Sequence, residues 1–249
     1  MEINKIYNED CLVGMKDIPD ESVDMILCDL PYGTTANKWD AIIPLEKLWK
    51  EYNRVIKDNG AIVLTASQPF TTILAYSNIK DFRYEWIWNK PNSTGFQLAN
   101  KRPLKKHENI LVFYKKQPVY NPQGLKKCEK LNKRGGIGKN WSVMKSDEYI
   151  QKWTNYPTQS LNFKYDKQKY HPTQKPVALF EYLIKTYTNE GETVLDNCMG
   201  SGTTAIACIN TNRNYIGFEL DEGYYKASIE RINNHVKDKQ IDLFEMLDN

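Results

Sequence analysis

Residues Val23-Asp24-Met25-Ile26-Leu27-Cys28 form a near-continuous apolar run that stops abruptly at Asp29-Leu30-Pro31-Tyr32-Gly33. A strand of that composition is buried on both faces, as in a parallel sheet covered by helices above and below. A second apolar run, Thr193-Val194-Leu195, also ends in an acid, Asp196, and is followed by the glycine turn Gly200-Ser201-Gly202-Thr203-Thr204. Two buried strands that each end in an acid and a tight turn constrain the fold strongly. Ligands of open α/β sheets collect at such strand ends.

The remaining pattern agrees. Lys5 to Asp10 and Ala61 to Ala66 read as strands, as do Tyr84 to Trp88, Asn109 to Tyr114 and Asn214 to Leu220. Leu45, Leu48, Trp49, Tyr52, Val55 and Ile56 recur at helical spacing after Pro44, and Asn59-Gly60 is expected to close that helix. Further helices are expected from Pro69 to Tyr76, from Pro176 towards Gly191, from Thr203 to Asn210 and from Tyr224 to Lys237. Alternation of this kind predicts an α/β fold, a doubly wound and mostly parallel sheet. Regularity fades between residues 116 and 170. The expected organisation is therefore one domain built from 1–115 and 171–249, with 116–170 as an inserted lobe.

Charge divides the chain in the same way. Residues 101–175 hold 18 Lys and Arg against 5 Asp and Glu, a net of +13, which leaves the rest at −10. That asymmetry favours a polyanionic partner for the basic part. Arg102, Lys105, Lys106, Lys126, Lys127, Lys130, Lys133 and Arg134 are candidate phosphate contacts, which confer affinity and little sequence preference. Gly135 to Gly138 could form a close-approach loop, and Asn140, Trp141, Asn155 and Gln159 could read base edges. His107-Glu108 is expected to fix a strand start. Of Trp86 and Trp88, one is expected in the core and the other is a candidate for a base pocket.

Other classes find little support. No apolar stretch approaches the roughly 18 residues a membrane span needs, and the N-terminus lacks a signal-peptide core. Five cysteines form no CxxC pair and three histidines are scattered, so no metal site is expected. Cys28 and Cys198 are expected as small buried fillers. A soluble, cytoplasmic protein follows as the expectation.

Each strand end suggests a chemistry. At the first, a carboxylate and an aromatic ring can hold a planar base by its exocyclic amine, with Asp29 and the Leu30 carbonyl as acceptors and Tyr32 stacking on the base. At the second, glycines allow close approach of a ligand and the helix start offers free N–H groups. Glu219, ending the next strand, could accept two ribose hydroxyls. Gly200-x-Gly202-x-x-Ala205 also fits a dinucleotide fingerprint, but that motif normally sits in the first βα unit. The hydroxyl-rich Ser201 to Thr204 run favours a ligand with adenosine at one end and an amino acid at the other.

These residues resemble the permuted, β-class amino DNA methyltransferases. Asp29-Leu30-Pro31-Tyr32 is similar to the family's D-P-P-Y motif, which precedes the glycine-rich motif matched by Asp196 to Thr204. His171-Pro172-Thr173-Gln174-Lys175-Pro176 and Asn8-Glu9-Asp10-Cys11-Leu12 resemble two further markers in the same permuted order. The likeness covers most of 5–115 and 171–230. It implies a seven-stranded S-adenosylmethionine-dependent methyltransferase fold with an inserted target-recognition lobe. It implies a catalytic turn of Asp29, Leu30, Pro31 and Tyr32. Cofactor contacts are implied from Asp10, Cys11, Asp29, Thr173, Lys175, Asp196, Gly200, Ser201, Gly202, Thr203, Thr204, Glu219 and Leu220. Leu30 departs from the family's usual proline and adds a backbone N–H.

The resemblance implies transfer to adenine N6 in DNA, with the base flipped out of the duplex, because cytosine N4 enzymes usually carry serine where Asp29 stands. Cytosine N4, an RNA substrate and a non-catalytic DNA-binding subunit remain as alternatives. A homodimer and a cognate restriction endonuclease are partners that the family allows.

Overall fold

The computed structural model describes residues 1–34, 37, 40–133, 148–168, 170 and 173–247. The main unit comprises Met1–Asn121 and Gln159–Asn249. Its strands are β1 (Lys5–Tyr7), β2 (Val23–Asp29), β3 (Ile56–Ala66), β4 (Phe82–Thr94), β5 (Lys105–Phe113), β8 (Ser160–Asn162), β9 (Thr193–Asp196) and β10 (Asn214–Phe218). They form one sheet in the order β1-β10-β9-β2-β3-β5-β4-β8. The first five strands in that order run parallel, β5 is antiparallel to both β3 and β4, and β8 pairs parallel with β4. The sheet is thus mixed at one side and has one strand more than expected. The addition is the three-residue β8, too short to leave a periodic signal.

Helices cover both faces because the strands are apolar on both. Met25 and Leu27 of β2, with Val63 and Val112, pack against α4 (Val177–Tyr187), α5 (Thr203–Asn210) and α6 (Glu222–Leu247) through Leu179, Leu183, Ala205, Ile206 and Ile232. The alternate residues Ile26 and Cys28, with Leu64 and Leu111, pack against α1 (Cys11–Gly14), α2 (Leu45–Val55) and α3 (Phe70–Ser77) through Cys11, Leu48, Tyr52, Phe70 and Leu74. Burying each such side chain contributes about 1.5–3 kcal/mol. Trp86 and Trp88 are both core residues, and neither lines the cleft at the strand ends. The Trp86 indole donates to the Tyr187 hydroxyl at 2.7 Å and that of Trp88 to the Phe163 carbonyl at 3.0 Å.

Asn59-Gly60 does not close α2. The helix ends at Val55, and both residues lie within β3 where its pairing with β2 jumps from Val23–Ile56 to Met25–Ala61. The bulge absorbs the turn-forming pair without breaking the strand.

The second unit is Pro122–Thr158, narrower than the expected 116–170. Its described core is the antiparallel pair β6 (Lys126–Lys133) and β7 (Glu148–Thr154), with a register shift between Lys127 and Lys130. Arg134, Gly135 to Gly138, Asn140, Trp141, His171 and Pro172 lie outside the described residues.

Candidate active site

The parallel strands β2, β3, β9 and β10 end on the same side of the sheet, and a cleft of about 490 Å³ lies there. Asp29, Leu30, Pro31 and Tyr32 line it at the end of β2. Asp196, Ser201, Thr203, Thr204 and Gly200 line it after β9, Glu219 and Leu220 after β10, Asp10 and Cys11 after β1, and Thr173 and Lys175 from the segment before α4. Gly202 alone among the expected cofactor residues is absent from the lining.

Each side chain has a definite task within this arrangement. Asp29 Oδ1 accepts from the Tyr32 hydroxyl at 2.7 Å and from the Thr65 hydroxyl, while Oδ2 accepts from Lys175 Nζ at 2.6 Å. The Tyr32 ring stacks on Phe70 at 5.6 Å between centroids, and Lys175 Nζ lies 5.5 Å from its centroid. Burial, then the Asp29 charge, hold the Tyr32 hydroxyl well above its usual pKa, so it remains a donor. Leu30 turns its side chain into the core.

Lys175 is only 5% exposed. Burial works against its charge, but Asp29, Tyr32 and Glu108 together hold its pKa well above the ordinary value. Glu108 Oε2 is buried with Lys175 Nζ at 3.2 Å, a charge contact rather than an aligned hydrogen bond, and Oε1 lies 3.4 Å from Lys90 Nζ. Two carboxylates and two ammonium groups therefore form one charged cluster, of which Asp29 and Lys175 line the cleft. His107 and Glu108 lie inside β5, which begins at Lys105, and so do not mark a strand start as expected.

Asp40, which sequence reasoning missed, organises the turn after β2. Its Oδ1 accepts the backbone N–H groups of Tyr32 at 2.7 Å and Gly33 at 2.9 Å, and Oδ2 accepts that of Thr34 at 2.8 Å. Asp40 lies eight residues after Tyr32, too far for a local turn motif to flag.

The glycine turn is built from below. Asp196 Oδ1 accepts the Cys198 N–H at 3.0 Å and Oδ2 the Thr204 hydroxyl. Burial pushes the Asp196 pKa up to about 6. Gly202 caps α5 in the left-handed region at φ 79, and a Cβ there would stand 3.2 Å from Ser228 Cβ. Gly200, at φ 52, would carry a Cβ in ordinary contact with the Cys198 carbonyl oxygen at 3.9 Å, so only its left-handed backbone restricts the position. Glu219 Oε2 accepts the Gly200 N–H at 2.7 Å and Oε1 the Asp221 N–H at 2.9 Å, and burial raises its pKa. Arg231 of α6, also missed from sequence, is buried behind the turn and donates to the Ser201 carbonyl at 2.9 Å and the Thr203 hydroxyl at 3.2 Å. One cation on a long amphipathic helix carries no signal that marks it.

Asp10 caps α1 by accepting from Leu12 and Val13 N–H. Cys11 and Cys198 both lie against the Asn197 amide, and the hydrogen bond between the two thiols, then burial, raises the Cys11 thiol far above its usual range. Among the described residues no group of His, Cys, Asp and Glu could hold a metal.

The candidate basic residues are dispersed. Arg102 is exposed, Lys105 Nζ donates to the Gln68 carbonyl at 3.2 Å and Lys106 Nζ to the Pro91 carbonyl at 2.9 Å. Lys126, Lys127, Lys130 and Lys133 lie on β6, with Lys127 Nζ 5.9 Å from the Trp153 ring centroid. Asn155 donates to the Gly124 carbonyl and Gln159 to that of Glu85, so both amides have protein partners.

A mostly parallel sheet with both strand-end carboxylates in one cleft is the methyltransferase fold. The model of a DNA methylase family, the N6/N4 type, matches residues 23–230. The chain belongs to that family. It is 29% identical over 93% of its length to the DNA adenine methyltransferase YhdJ of Escherichia coli, of which it covers 83%. The structure of the M1.HpyAVI–SAM complex superposes with a TM-score of 0.63 at 27% identity, covering 91% of this chain and 98% of that one. The cytosine-N4-specific PvuII DNA methyltransferase gives a TM-score of 0.68 at 17% identity over 90% and 84% of the two chains, a likeness of fold. Among the described residues no helix is long and apolar enough to cross a membrane.

Proposed function

We propose that this DNA methyltransferase transfers the methyl group of S-adenosyl-L-methionine to the exocyclic N6 of adenine in DNA, with the target base flipped into the cleft. The observation that carries the reading is the Asp29 carboxylate at the end of β2, facing the same cleft as the Gly200 turn. The name of the Escherichia coli relative, a DNA adenine methyltransferase, supports adenine.

S-adenosylmethionine supplies an electrophilic methyl group on a sulfonium sulfur. The residues present fit it. Gly200 leaves space at the cleft wall, Glu219 offers acceptor lone pairs for ribose hydroxyls, and Ser201 and Thr203 offer hydroxyls towards an amino-acid end. Asp29 holds the adenine amine as acceptor. One lone pair of Oδ2 remains beside the Lys175 contact, since a carboxylate oxygen accepts two bonds. The Leu30 carbonyl accepts the second N–H. Both bonds favour a pyramidal nitrogen whose lone pair aims at the methyl carbon, so catalysis is positioning and electrostatics. Asp40 keeps the turn rigid by fixing three consecutive N–H groups. A base inside a duplex cannot reach this depth, which motivates flipping.

We assign target recognition to the inserted region, with Lys126, Lys127 and Lys130 as phosphate contacts. Partnership with an endonuclease, dimerisation and action in the cytoplasm belong to the same proposal. The test is to incubate the enzyme with unmethylated genomic DNA and cofactor and identify the modified nucleoside by mass spectrometry. N6-methyladenine is expected. N4-methylcytosine would overturn the base assignment and leave the family intact.

A further inference from the structure

The connection between β4 and β5 is an exposed finger at the catalytic end of the sheet. Every residue from Pro91 to Leu104 is exposed. From Asn89 to His107 the finger carries Lys90, Lys101, Arg102, Lys105 and Lys106 and no acid. Near its tip stands Phe96, 81% exposed, and Leu98 and Leu104 of the same finger are also exposed. The tip is not a loose loop. Leu98 N–H donates to the Gly95 carbonyl at 3.0 Å, Ala99 to Phe96 at 3.0 Å, Lys101 to Leu98 at 2.9 Å and Arg102 to Leu98 at 3.0 Å, a run of tight turns. No ring partner of Phe96 occurs among the described residues.

Strand register places the finger. Asp29 is level with Thr65, and Thr65 with Ile110. Lys105 lies five residue steps along β5 from Ile110, so the finger begins about 17 Å beyond the level of the Asp29 carboxylate at roughly 3.4 Å per residue. It is displaced sideways by two to three strand spacings, about 10–14 Å. That offset is comparable with the roughly 12 Å width of a duplex major groove. A duplex whose target nucleotide enters the cleft therefore meets the finger alongside.

We propose that the finger is a duplex-DNA contact in which Phe96 enters the base stack and fills the gap left by the extruded target base. The inference rests on the flipping reading above. An acid-free finger suits a polyanion, and Lys101 and Arg102 are placed to meet phosphates on either side of a wedge. An exposed phenyl ring is costly in water and stacks well between bases, and apolar wedges of this kind unstack base steps at protein–DNA contacts. The occupant is the DNA duplex, because the charge around the ring is uniformly positive.

The test compares methyl transfer by the wild type, Phe96→Ala and Phe96→Leu to one preparation of unmethylated genomic DNA, native and heat-denatured, with the oligomeric state followed by light scattering. Transfer to denatured DNA reports on the parent reading independently of the finger. For Phe96→Ala a loss of about tenfold or more on native DNA is expected, with denatured DNA methylated at the wild-type rate, because a single strand needs no wedge. Phe96→Leu should recover most of the duplex activity. Equal loss on both forms, no loss on either, or a wild type that acts only on denatured DNA would overturn the proposal. So would dissociation of a wild-type dimer by Phe96→Ala, which would make the tip a self-association surface.

Discussion

Asp29 and Asp196 occupy equivalent places, each the last residue of a buried parallel strand, and their carboxylates do opposite things. Asp29 keeps 23% of its side chain exposed and faces the cleft with a buried ammonium at its back. Asp196 is 3% exposed and both its oxygens hold the turn that follows. The difference lies in the neighbours. After β2 a second acid, Asp40, takes over the backbone N–H groups, which leaves Asp29 with side-chain partners and an open lone pair. After β9 no such substitute exists among the described residues, and Asp196 itself braces the turn. A carboxylate at a strand end becomes chemical or structural according to what else satisfies the local backbone.

The largest effect should come from removing the Asp29 carboxylate. Asp29→Ala should abolish detectable transfer and leave cofactor affinity within about threefold, since catalytic donors and acceptors of this type are worth about 10²–10³ or more in rate. It should also lower stability, because among the described residues Lys175 then keeps only Glu108 as an anionic partner. Both follow from single-turnover assays and denaturant titration. Lys175→Met should come next. It leaves Asp29 and Glu108 facing each other with Lys90 as the remaining cation, and a stability loss of about 3 kcal/mol is expected from breaking a buried pair. A Lys175→Met variant as stable as the wild type would show that the ammonium is dispensable to the fold.

Asp196 supplies a pH test. Its folded pKa, about 6, lies above the ordinary 3.8. Its contribution to stability is therefore fully present below pH 4 and is lost as pH rises through about 6. Relative to Asp196→Asn, the wild type should lose about 2–3 kcal/mol between those limits, read from unfolding midpoints across pH. The smallest effect concerns the second unit. Lys126→Glu with Lys127→Glu should weaken DNA binding and reduce the slope of log K against log salt by about 2, and an unchanged slope would remove both lysines from the phosphate contacts.

Much of this was legible in the sequence because it rests on short-range patterns. The β2 and β9 runs, the glycine turn and Glu219 each carry their signal within ten residues, and Asp29, Asp196, Gly200 and Glu219 line the cleft. What was not legible depends on distant partners. Asp40, Arg231 and the Glu108–Lys175 contact join elements that the sheet order brings together, and an isolated acid or base on a strand looks the same whether it is solvated or paired. Trp88 illustrates the converse. Its alternation with Trp86 suggested one ring in a pocket, but the edge strand β8, too short to foresee, and the ring of Tyr165 enclose it. Asn59-Gly60 misled for a similar reason, since pairing with β2 carries β3 through the bulge.

The central claim is that the cleft divides labour between its two aspartates. It is tested most directly by measuring cofactor Kd and single-turnover methyl transfer for Asp29→Asn and Asp196→Ala side by side. The account predicts that Asp29→Asn binds S-adenosylmethionine as the wild type does and fails to transfer. It predicts that Asp196→Ala loses about tenfold or more in cofactor affinity through the loosened turn, and that its transfer recovers at saturating cofactor. Undiminished transfer by Asp29→Asn, or a cofactor Kd unchanged in Asp196→Ala, would contradict it.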